Sequence, residues 1–392
     1  MKFVQNRVNE LFDEFVRIRR RFHQKPELGW KEFETTRLIT EKLTEWGIEV
    51  EDFGLKAGAS ALIRGAYPGA TIAVRGDIDA LPMQEESGLA FASENPGVCH
   101  ACGHDIHATF ALFCARILHE NRDKLHGNVR ILFQPAEEKG DGAKGMIEHG
   151  VLTREPKPER IIGAHVDCDM PAGTIGLIKG PSAAGMDQFE VTVHGFGGHS
   201  SRPQNFIDPI LSAATLIAQL NMLVSREISP FESSVLSVCQ IHGGTANNVV
   251  PETVTFGCSL RSFTPEVRKT MLDAIERTCK LHCESMRTRA EVKFLSGTAP
   301  LVHDEKMVDE IAEAARETIG EEKIIKMKHP RSGSDDFAEY LSSIPGVRFR
   351  VGSANDQPET KVGAHNPRVV FDEESLRVAT VVICQYIFNL LR

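Results

Sequence analysis

Thr71-Ile-Ala-Val-Arg-Gly-Asp-Ile-Asp, residues 71–79, is an apolar run that leads into two aspartates, and it decides the fold class. Its first four residues are apolar or β-branched, which predicts a buried strand. Helical spacing follows from Ala108 to Ile117, and further apolar runs follow at Val129–Phe133 and Ile161–Ala164. Strands that alternate with helices predict an α/β fold whose sheet is covered on both faces.

A different pattern occupies the segment from about Met186 to Phe294. Its strand-like and helical runs come in the order β-α-β-β-α-β, which is the ferredoxin-like arrangement. Glycine-containing segments at 180–185 and 296–300 are suited to be hinges. We therefore predict a discontinuous α/β domain formed by residues 1–185 and 297–392, with an inserted α+β domain at residues 186–296.

Size, charge and cysteine usage narrow the class of protein. With 392 residues, the chain exceeds the size at which one hydrophobic core usually stops growing, so two domains are expected. The formal net charge of −9 argues against nucleic acid as a partner, because phosphate binding needs a basic surface. No apolar run is long enough for a membrane span, and the N-terminus lacks the apolar core of a signal peptide. Nine scattered cysteines indicate small buried residues in a reducing compartment, so the sequence predicts a cytoplasmic protein.

The strongest chemical signal is the segment His100-Ala-Cys-Gly-His-Asp-Ile-His, residues 100–107. Gly103 lets the backbone turn so that Cys102 and His104 can face one ion. A thiolate and an imidazole suit zinc or another borderline transition metal. The segment therefore predicts a metal site.

The neighbours of these two residues leave other interpretations open. Asp105 or His107 could hold the metal ligands in place from behind. The segment could also be a polar loop that only opens the following helix. Cys99 and Cys102 also match a C-x-x-C redox pair, although such a site does not need the surrounding histidines.

A second signal is Phe133-Gln-Pro-Ala-Glu-Glu, residues 133–138, where an apolar strand runs into Glu137 and Glu138. Adjacent side chains in an extended chain point in opposite directions, so one carboxylate could bind metal while its neighbour faces a water as general base. Metal-activated water and a positioned carboxylate are the minimum equipment for amide hydrolysis at neutral pH. A bare Glu-Glu is usually a solvated surface pair, but ligands of α/β sheets collect at strand ends.

Two further strand ends fit the same edge of the sheet. Asp77 and Asp79 follow the strand at residues 71–74, and His165 follows the strand at residues 161–164. A lone histidine is more often structural than a ligand. Several metal-type residues at successive strand ends make chance a poor explanation, so we expect them to share one site.

Together these segments resemble the superfamily of cocatalytic metal aminoacylases and carboxypeptidases, and most closely its hippurate hydrolase and indoleacetyl-amino acid (auxin-conjugate) hydrolase branch. The resemblance spans nearly the whole chain, from Arg20 to Leu376, and the ordered H-A-C-G-H-D and Q-P-A-E-E segments are highly specific for it. Further segments that fall where the branch has them are Gly195-Phe-Gly-Gly-His-Ser-Ser-Arg-Pro, Asn248-Val-Val-Pro, Gly333-Ser-Asp-Asp-Phe and His365-Asn-Pro.

The resemblance implies a zinc-exopeptidase-like α/β catalytic domain with an inserted ferredoxin-like lid and dimerisation domain. It implies two divalent metal ions as cofactors, and the donor types suit zinc, manganese, cobalt or nickel. Glu137 is then the general base, and Asp77 is a supporting residue behind the metals. The metal ligands that it implies are Cys102, His104, Glu138, His165 and His365.

Three lid residues complete the implied site. His199 and Asn248 resemble the donors that steady the oxyanion as the amide carbon becomes tetrahedral. Arg261 resembles the residue that grips the substrate's carboxylate, for which its bidentate fork is suited. Apart from the resemblance, His199 reads as a turn residue and Arg261 as a solvent-facing strand residue. Relatives often dimerise through the lid, so we expect a homodimer or homotetramer formed through this domain.

The sequence therefore predicts a metal-dependent amidohydrolase that cleaves the amide bond of small N-acyl amino acids or related conjugates. Three alternatives are a catalytically idle carboxylate-binding homologue, a dipeptidase or carboxypeptidase-type peptide hydrolase, and a thiol redox protein. One departure from the branch is Val166-Asp-Cys-Asp-Met-Pro after His165. Asp167 and Asp169 in this segment could select a charged substrate or simply face solvent.

Overall fold

A computed structural model describes residues 2–392 of the chain, with side chains from Phe3 onward. The protein is a mixed α/β molecule, which confirms the predicted fold class. It divides into two compact units. Unit 1 contains the chain up to Gly180, His303–His329 and Glu339–Arg392, and unit 2 contains Pro181–Val302 and Pro330–Ala338.

The described residues form nine α-helices and sixteen strands, numbered here in chain order. The helices are α1 (Lys2–Gln24), α2 (Phe33–Glu45), α3 (His104–Glu120), α4 (Gly142–Glu148), α5 (Pro209–Arg226), α6 (Pro265–Ser285), α7 (Glu305–Thr318), α8 (Phe337–Leu341) and α9 (Glu374–Leu390). The strands are β1 (Glu49–Glu51), β2 (Ala59–Arg64), β3 (Tyr67–Asp77), β4 (His126–Gln134), β5 (Arg160–Pro171), β6 (Ile175–Leu177), β7 (Gly180–Ala183), β8 (Gly185–His194), β9 (Gly198–His199), β10 (Ser234–His242), β11 (Val249–Val250), β12 (Thr253–Ser262), β13 (Arg289–Thr298), β14 (Leu301–His303), β15 (Ile324–Lys326) and β16 (Gly346–Ala354).

Unit 1 is built on an eight-stranded sheet in the order β1-β2-β4-β3-β5-β16-β6-β15. The neighbouring strands β4, β3, β5 and β16 run parallel, and the last seven residues of β3 are all buried. Such a continuous buried run is typical of parallel strands whose two faces are both covered. Because Asp77 pairs with Gln134, the carboxyl ends of β3 and β4 lie side by side. The segments that carry Asp79 and Glu137 therefore begin at adjacent points of one sheet edge.

Helix α3 brings the H-A-C-G-H-D segment to that edge. Its apolar side chains are buried all round, including Ile106, Phe110 and Phe113, and the helix packs against β3, α1 and α9. A helix that is apolar on every side belongs in the interior. Its first residue is His104, so the predicted helix at 108–117 begins earlier than expected and includes the second half of the motif.

Unit 2 has a four-stranded antiparallel sheet in the order β10-β12-β8-β13. Helices α5 and α6 pack on it, and their N-termini are capped by the side chains of Asp208 and Thr264. The core between sheet and helices includes Phe189, Leu216 and Met271, all fully buried. The predicted β-α-β-β-α-β order is thereby confirmed. A separate two-stranded ladder of β9 and β11 accompanies this sheet.

The boundaries of the two units differ from the predicted domain boundaries, because unit 2 also contains residues 181–185, 297–302 and 330–338. The prediction assigned residues 330–338 to the discontinuous α/β domain, whereas Pro330–Ala338 belongs to unit 2. The reason is a non-local backbone ladder. The Arg331 N–H donates to the Ser182 carbonyl at 2.9 Å, and the Ala184 N–H donates to the Arg331 carbonyl at 2.9 Å. None of the helices described above has both the length and the apolar character needed to span a bilayer.

Candidate metal centre

The turn that precedes α3 places Cys102 and His104 on either side of Gly103. Gly103 has a φ of 82°, in the left-handed region, so the backbone turn expected at this glycine is present. Cys102 is 8% exposed and His104 is fully buried. The segment does open helix α3, but its metal-type side chains are interior, which does not favour the interpretation of a polar loop that only opens the helix.

The ring of His104 is held in one orientation by Asp79. Its Nδ1 donates to the Asp79 carbonyl at 3.0 Å and lies 3.1 Å from Asp79 Oδ1, so Nε2 carries the lone pair when the ring is neutral. Asp79 Oδ2 also accepts the Glu138 N–H at 3.0 Å. Asp79 thus holds two predicted metal ligands in place. The sequence alone placed Asp79 only after the end of a strand.

Glu137 and Glu138 do not continue an extended strand. Strand β4 ends at Gln134, Ala136 adopts a left-handed φ of 54°, and Glu137–Lys139 form a single 3-10 turn. The expectation that the two carboxylates point in opposite directions is therefore wrong. Instead, Glu137 Oε2 and Glu138 Oε1 each lie 3.9 Å from His104 Nε2.

His165 lies within β5 rather than beyond the end of a strand, which corrects the predicted position. The strand is longer than its apolar run because β16 pairs with it as far as Pro171. His165 Nδ1 donates to the Val166 carbonyl at 2.7 Å, and its Nε2 lies 3.5 Å from Cys102 Sγ. Burial, and then the neighbouring His107, hold the pKa of His165 well below its usual range. The ring is therefore neutral, which is the form that binds a metal.

Asp77 lies behind these residues and is fully buried. It forms an ion pair with Arg75, and its Oδ1 accepts a hydrogen bond from His107 Nδ1 at 2.5 Å. Burial alone opposes ionisation, but Arg75, His104 and His107 hold the pKa of Asp77 well below its usual value. His107 Nε2 accepts the Val166 N–H at 3.0 Å, so both nitrogens of His107 are occupied in positioning Asp77 and the strand next to His165.

His365 approaches from a distant part of the sequence. It has a φ of 63°, and its N–H donates to the Ala101 carbonyl at 2.8 Å, which ties its loop to the H-A-C-G-H-D segment. Its Nε2 lies 3.3 Å from Glu138 Oε1, and its side chain is 52% exposed. The hydrogen bond with Glu138 raises the pKa of His365 and, against the effect of burial, lowers that of Glu138.

The five predicted metal ligands converge in unit 1. Ligand atoms of Cys102, His104 and His165 lie within 4.8 Å of one another, and so do those of Cys102, Glu138 and His365. Cys102 is common to both groups. Among the described side chains, His104 Nε2 is buried without a hydrogen-bond partner. Burial raises the pKa of the Cys102 thiol far above its usual value. Such buried polar atoms need a partner, and a divalent cation fits this mixture of sulfur, nitrogen and oxygen donors.

The thiol environment does not favour a redox pair. Burial and the charge of Glu85 raise the pKa of Cys99 to about 11, and burial also raises the pKa of Cys102. Reactive redox thiols have lowered pKa values. All nine cysteines of the chain are free.

The predicted lid residues belong to unit 2. In the ladder of β9 and β11, His199 stands opposite Val249, and the Ser200 N–H donates to the Asn248 carbonyl at 3.1 Å. His199 and Asn248 are therefore neighbours. Arg261 lies on β12, partly buried, and its Nη1 is 3.5 Å from the Ser334 hydroxyl. It has no carboxylate partner among the residues the structure describes.

Asp167 and Asp169 differ from each other in exposure. Asp169 is exposed as expected, but Asp167 is only 7% exposed and accepts the Asp169 N–H at 2.9 Å. The expectation that Asp167 faces solvent is therefore wrong.

Comparison with known proteins identifies the family. The model of "Peptidase family M20/M25/M40" matches residues 73–389 of the chain. The chain belongs to this family. An N-acetyl-L-cysteine deacetylase of Bacillus subtilis is 38% identical over 100% of this chain and 92% of that protein. The IAA-amino acid hydrolase ILR1-like 4 of Arabidopsis thaliana is 36% identical over 94% of this chain and 83% of that protein.

A solved structure of an M20 protein shows the same fold. The YXEP protein of Bacillus subtilis, a dinuclear metal binding peptidase from the M20 family, superposes with a TM-score of 0.84. It is 32% identical, and the similarity covers 100% of this chain and 99% of that chain. The resemblance inferred from the sequence is confirmed. The chain described here is a metal-dependent amidohydrolase of the M20 family.

Proposed function

We propose that the enzyme hydrolyses the amide bond of small N-acyl amino acids or closely related amino-acid conjugates, with two divalent cations as cofactors. The observation that carries this proposal is the convergence of two ligand groups on Cys102, with Nε2 of the buried His104 left without a hydrogen-bond partner. Similarity to the deacetylase and to the IAA-amino acid hydrolase supports the substrate class. Similarity to the YXEP protein, a dinuclear metal binding peptidase, supports a pair of ions.

The residues that would hold the ions divide into the two groups that share Cys102. His104 and His165 complete one group, and Glu138 and His365 complete the other. When bound, two such cations polarise the amide carbonyl and lower the pKa of water. The donor set suits zinc, manganese, cobalt or nickel.

Glu137 is the proposed general base. Its carboxylate lies 3.9 Å from His104 Nε2, yet it belongs to neither of the two groups that contain Cys102. Its ligand atom also lies within 4.8 Å of those of His104 and Glu138, so it is beside the proposed ligands, and its role as base rather than ligand follows the resemblance. It accepts a proton from the attacking water and then delivers a proton to the nitrogen of the leaving amine. Asp77 supports the site from behind through His107, which also holds the strand beside His165.

The roles proposed for His199, Asn248 and Arg261 rest on the resemblance, and local contacts support two of them. The Ser201 N–H donates to His199 Nδ1 at 3.2 Å, so a neutral His199 carries its proton on Nε2. That nitrogen is then a hydrogen-bond donor, as an oxyanion requires. Arg261 has no carboxylate partner among the described residues of its own unit, which leaves its charge available for the carboxylate of a substrate.

Replacing Asp79 with alanine should weaken metal binding, because the change removes the carboxylate beside His104 Nδ1 and the acceptor of the Glu138 N–H, while the backbone carbonyl stays. Loss of such a supporting partner lowers metal affinity by about 10- to 100-fold. Titration against a chromogenic chelator measures the affinity. Asp123→Ala, a change at an exposed aspartate, is the matched control and should bind metal as the wild type does. Wild-type affinity in Asp79→Ala would show that Asp79 does not position these ligands.

Arg261→Ala should lower kcat/KM for an N-acetyl amino acid by about 10- to 100-fold, the effect of losing hydrogen bonds to a charged group. It should leave kcat/KM unchanged for the matching N-acetyl amino acid amide, which has no carboxylate. The measurement uses a panel of N-acetyl, N-benzoyl and indoleacetyl amino acids with small dipeptides, each with its carboxamide. Arg289→Ala, at a 65% exposed side chain of the same unit, is the control.

The same panel separates the alternatives. Turnover of dipeptides alone would favour a peptide hydrolase, and binding without turnover under every candidate metal would favour an idle carboxylate-binding homologue. If Arg261→Ala lowered kcat/KM equally for the acids and for their carboxamides, recognition of the substrate's carboxylate by Arg261 would be contradicted.

We also propose a homodimer or homotetramer formed through unit 2, in the cytoplasm. Strand β10 lies at one edge of the unit 2 sheet, and it exposes Val235 (52%) and Ile241 (51%). An open strand edge with apolar side chains is suited to pairing with another chain. The nine free cysteines support a reducing compartment.

A further inference from the structure

The turn that carries Glu137 and Glu138 is held by a segment that has no role in the mechanism proposed above. This segment, Glu27–Glu32, lies between α1 and α2 in unit 1. The Ala80 N–H donates to the Glu27 carbonyl at 2.8 Å, and Leu28 forms a parallel bridge with Ala80. The segment is thereby fixed next to Asp79, which contacts two of the proposed metal ligands.

Within this segment, Glu32 makes a buried contact with the turn itself. Its side chain is fully buried, and its Oε1 accepts the Ala136 N–H at 2.8 Å. Ala136 is fully buried, immediately precedes Glu137, and is one of few non-glycine residues with a positive φ. An alanine does not stay in the left-handed region unless its surroundings hold it there.

Gly29 completes the restraint on the other side of Ala136. A Cβ atom at Gly29 would lie 3.0 Å from Ala136 Cα and 3.2 Å from Ala136 Cβ. Only a residue without a side chain lets the segment approach the turn this closely. Ala136 is therefore clamped between the backbone of Gly29 and the carboxyl group of Glu32.

We propose that Glu32 is a positioning residue for the reaction, because its acceptor oxygen fixes the left-handed turn at Ala136 that orients the Glu137 carboxylate. This inference rests on the proposed role of Glu137 as general base. Glu138 has a second restraint, the hydrogen bond from its N–H to Asp79. Loss of the Glu32 contact should therefore misplace the base more than it disturbs the ligands.

The Glu32 carboxyl group offers one acceptor oxygen to the turn, and burial favours its uncharged form. Its Oε2 is buried without a hydrogen-bond partner among the described residues. Burial, with a contribution from the nearby charge of Asp79, raises the pKa of Glu32 to about 7. A glutamine at this position keeps the acceptor oxygen and a similar shape, whereas a methionine keeps the size and removes the acceptor.

The test compares Glu32→Gln with Glu32→Met in the metal-loaded enzyme. Glu32→Met should lower kcat by about 10- to 100-fold, as expected when a supporting partner is lost, with unchanged KM and bound metal. Glu32→Gln should keep a kcat close to that of the wild type. Leu43→Ala, at a fully buried residue near the other end of α2, is the control for lost stability and should keep kcat per folded enzyme.

Gly29→Ala supplies an independent variant if Glu32→Met does not fold. Its added methyl group presses on Ala136 while Glu32 stays intact, so kcat should fall and KM should not. The inference would be overturned if folded Glu32→Met or Gly29→Ala had the kcat of the wild type. It would also be overturned if the kcat of Glu32→Gln were as low as that of Glu32→Met. Glu137→Gln is measured in parallel. If that variant is fully active, the proposed base itself is wrong; if it is inactive while Glu32→Met is normal, only the role of Glu32 fails.

Discussion

Glu137→Gln should retain its bound metal and lose about 100- to 10,000-fold in kcat, the usual contribution of a general base. Glutamine keeps the size and an acceptor oxygen of Glu137 but cannot take a proton from water. The two ligand groups that contain Cys102 do not include Glu137, so the cations should stay in place. Steady-state kinetics on an N-acetyl amino acid, combined with elemental analysis of the same sample, measures both quantities.

Glu148→Gln is the matched control for this change. Glu148 is exposed at the end of α4, a short distance along the chain from Glu137. It should have the kcat of the wild type. A fully active Glu137→Gln protein would contradict the proposed mechanism, and a protein that lost its metal would instead make Glu137 a ligand.

Cys102→Ala should have the largest effect on metal content, because Cys102 is the residue that the two ligand groups share. The loss of affinity should exceed the roughly 10- to 100-fold that removal of a supporting partner causes. We expect both cations to be lost on dialysis and the activity to fall to background. His165→Ala and His365→Ala each affect one group, so each should retain more metal than Cys102→Ala.

Cys99→Ala is the matched cysteine control. Cys99 is also buried and lies three residues earlier, but it is in neither ligand group. It should keep metal and activity. Wild-type enzyme stripped with a chelator should be inactive and should recover when the cation is restored. Activity that survives chelation but disappears in Cys99→Ala would instead support the thiol redox interpretation.

The local patterns of the sequence predicted much of this molecule. The strand and helix runs predicted the α/β class and the β-α-β-β-α-β order of unit 2, because both depend on the spacing of apolar side chains along short segments. The H-A-C-G-H-D segment predicted a metal site at Cys102 and His104 because a glycine between two ligand-type residues permits the observed turn.

Features that depend on distant parts of the chain could not be predicted in this way. The strand that contains His165 extends to Pro171 because β16, nearly two hundred residues later, pairs with it. Residues 330–338 join unit 2 because Arg331 pairs with the backbone of Ser182 and Ala184. No local pattern contains these partners.

The turn at Glu137 and Glu138 shows the same limit within the candidate site. The apolar run before it suggested an extended chain, but Ala136 adopts a left-handed conformation that alanine does not favour by itself. The contacts that hold this conformation come from Glu32 and Gly29, about one hundred residues earlier. Asp79 is a similar case, because its contacts with His104 and Glu138 appear only when the three segments meet.

Anomalous diffraction from crystals of the metal-loaded enzyme, recorded at the absorption edge of the bound metal, tests the central claim most directly. We expect two peaks in unit 1, each about 2.0–2.3 Å from side-chain donors, the usual range for nitrogen, oxygen and sulfur ligands. One peak should contact His104 and His165, the other should contact Glu138 and His365, and Cys102 should lie beside both. A single peak, or peaks away from Cys102, would contradict the proposed dinuclear centre.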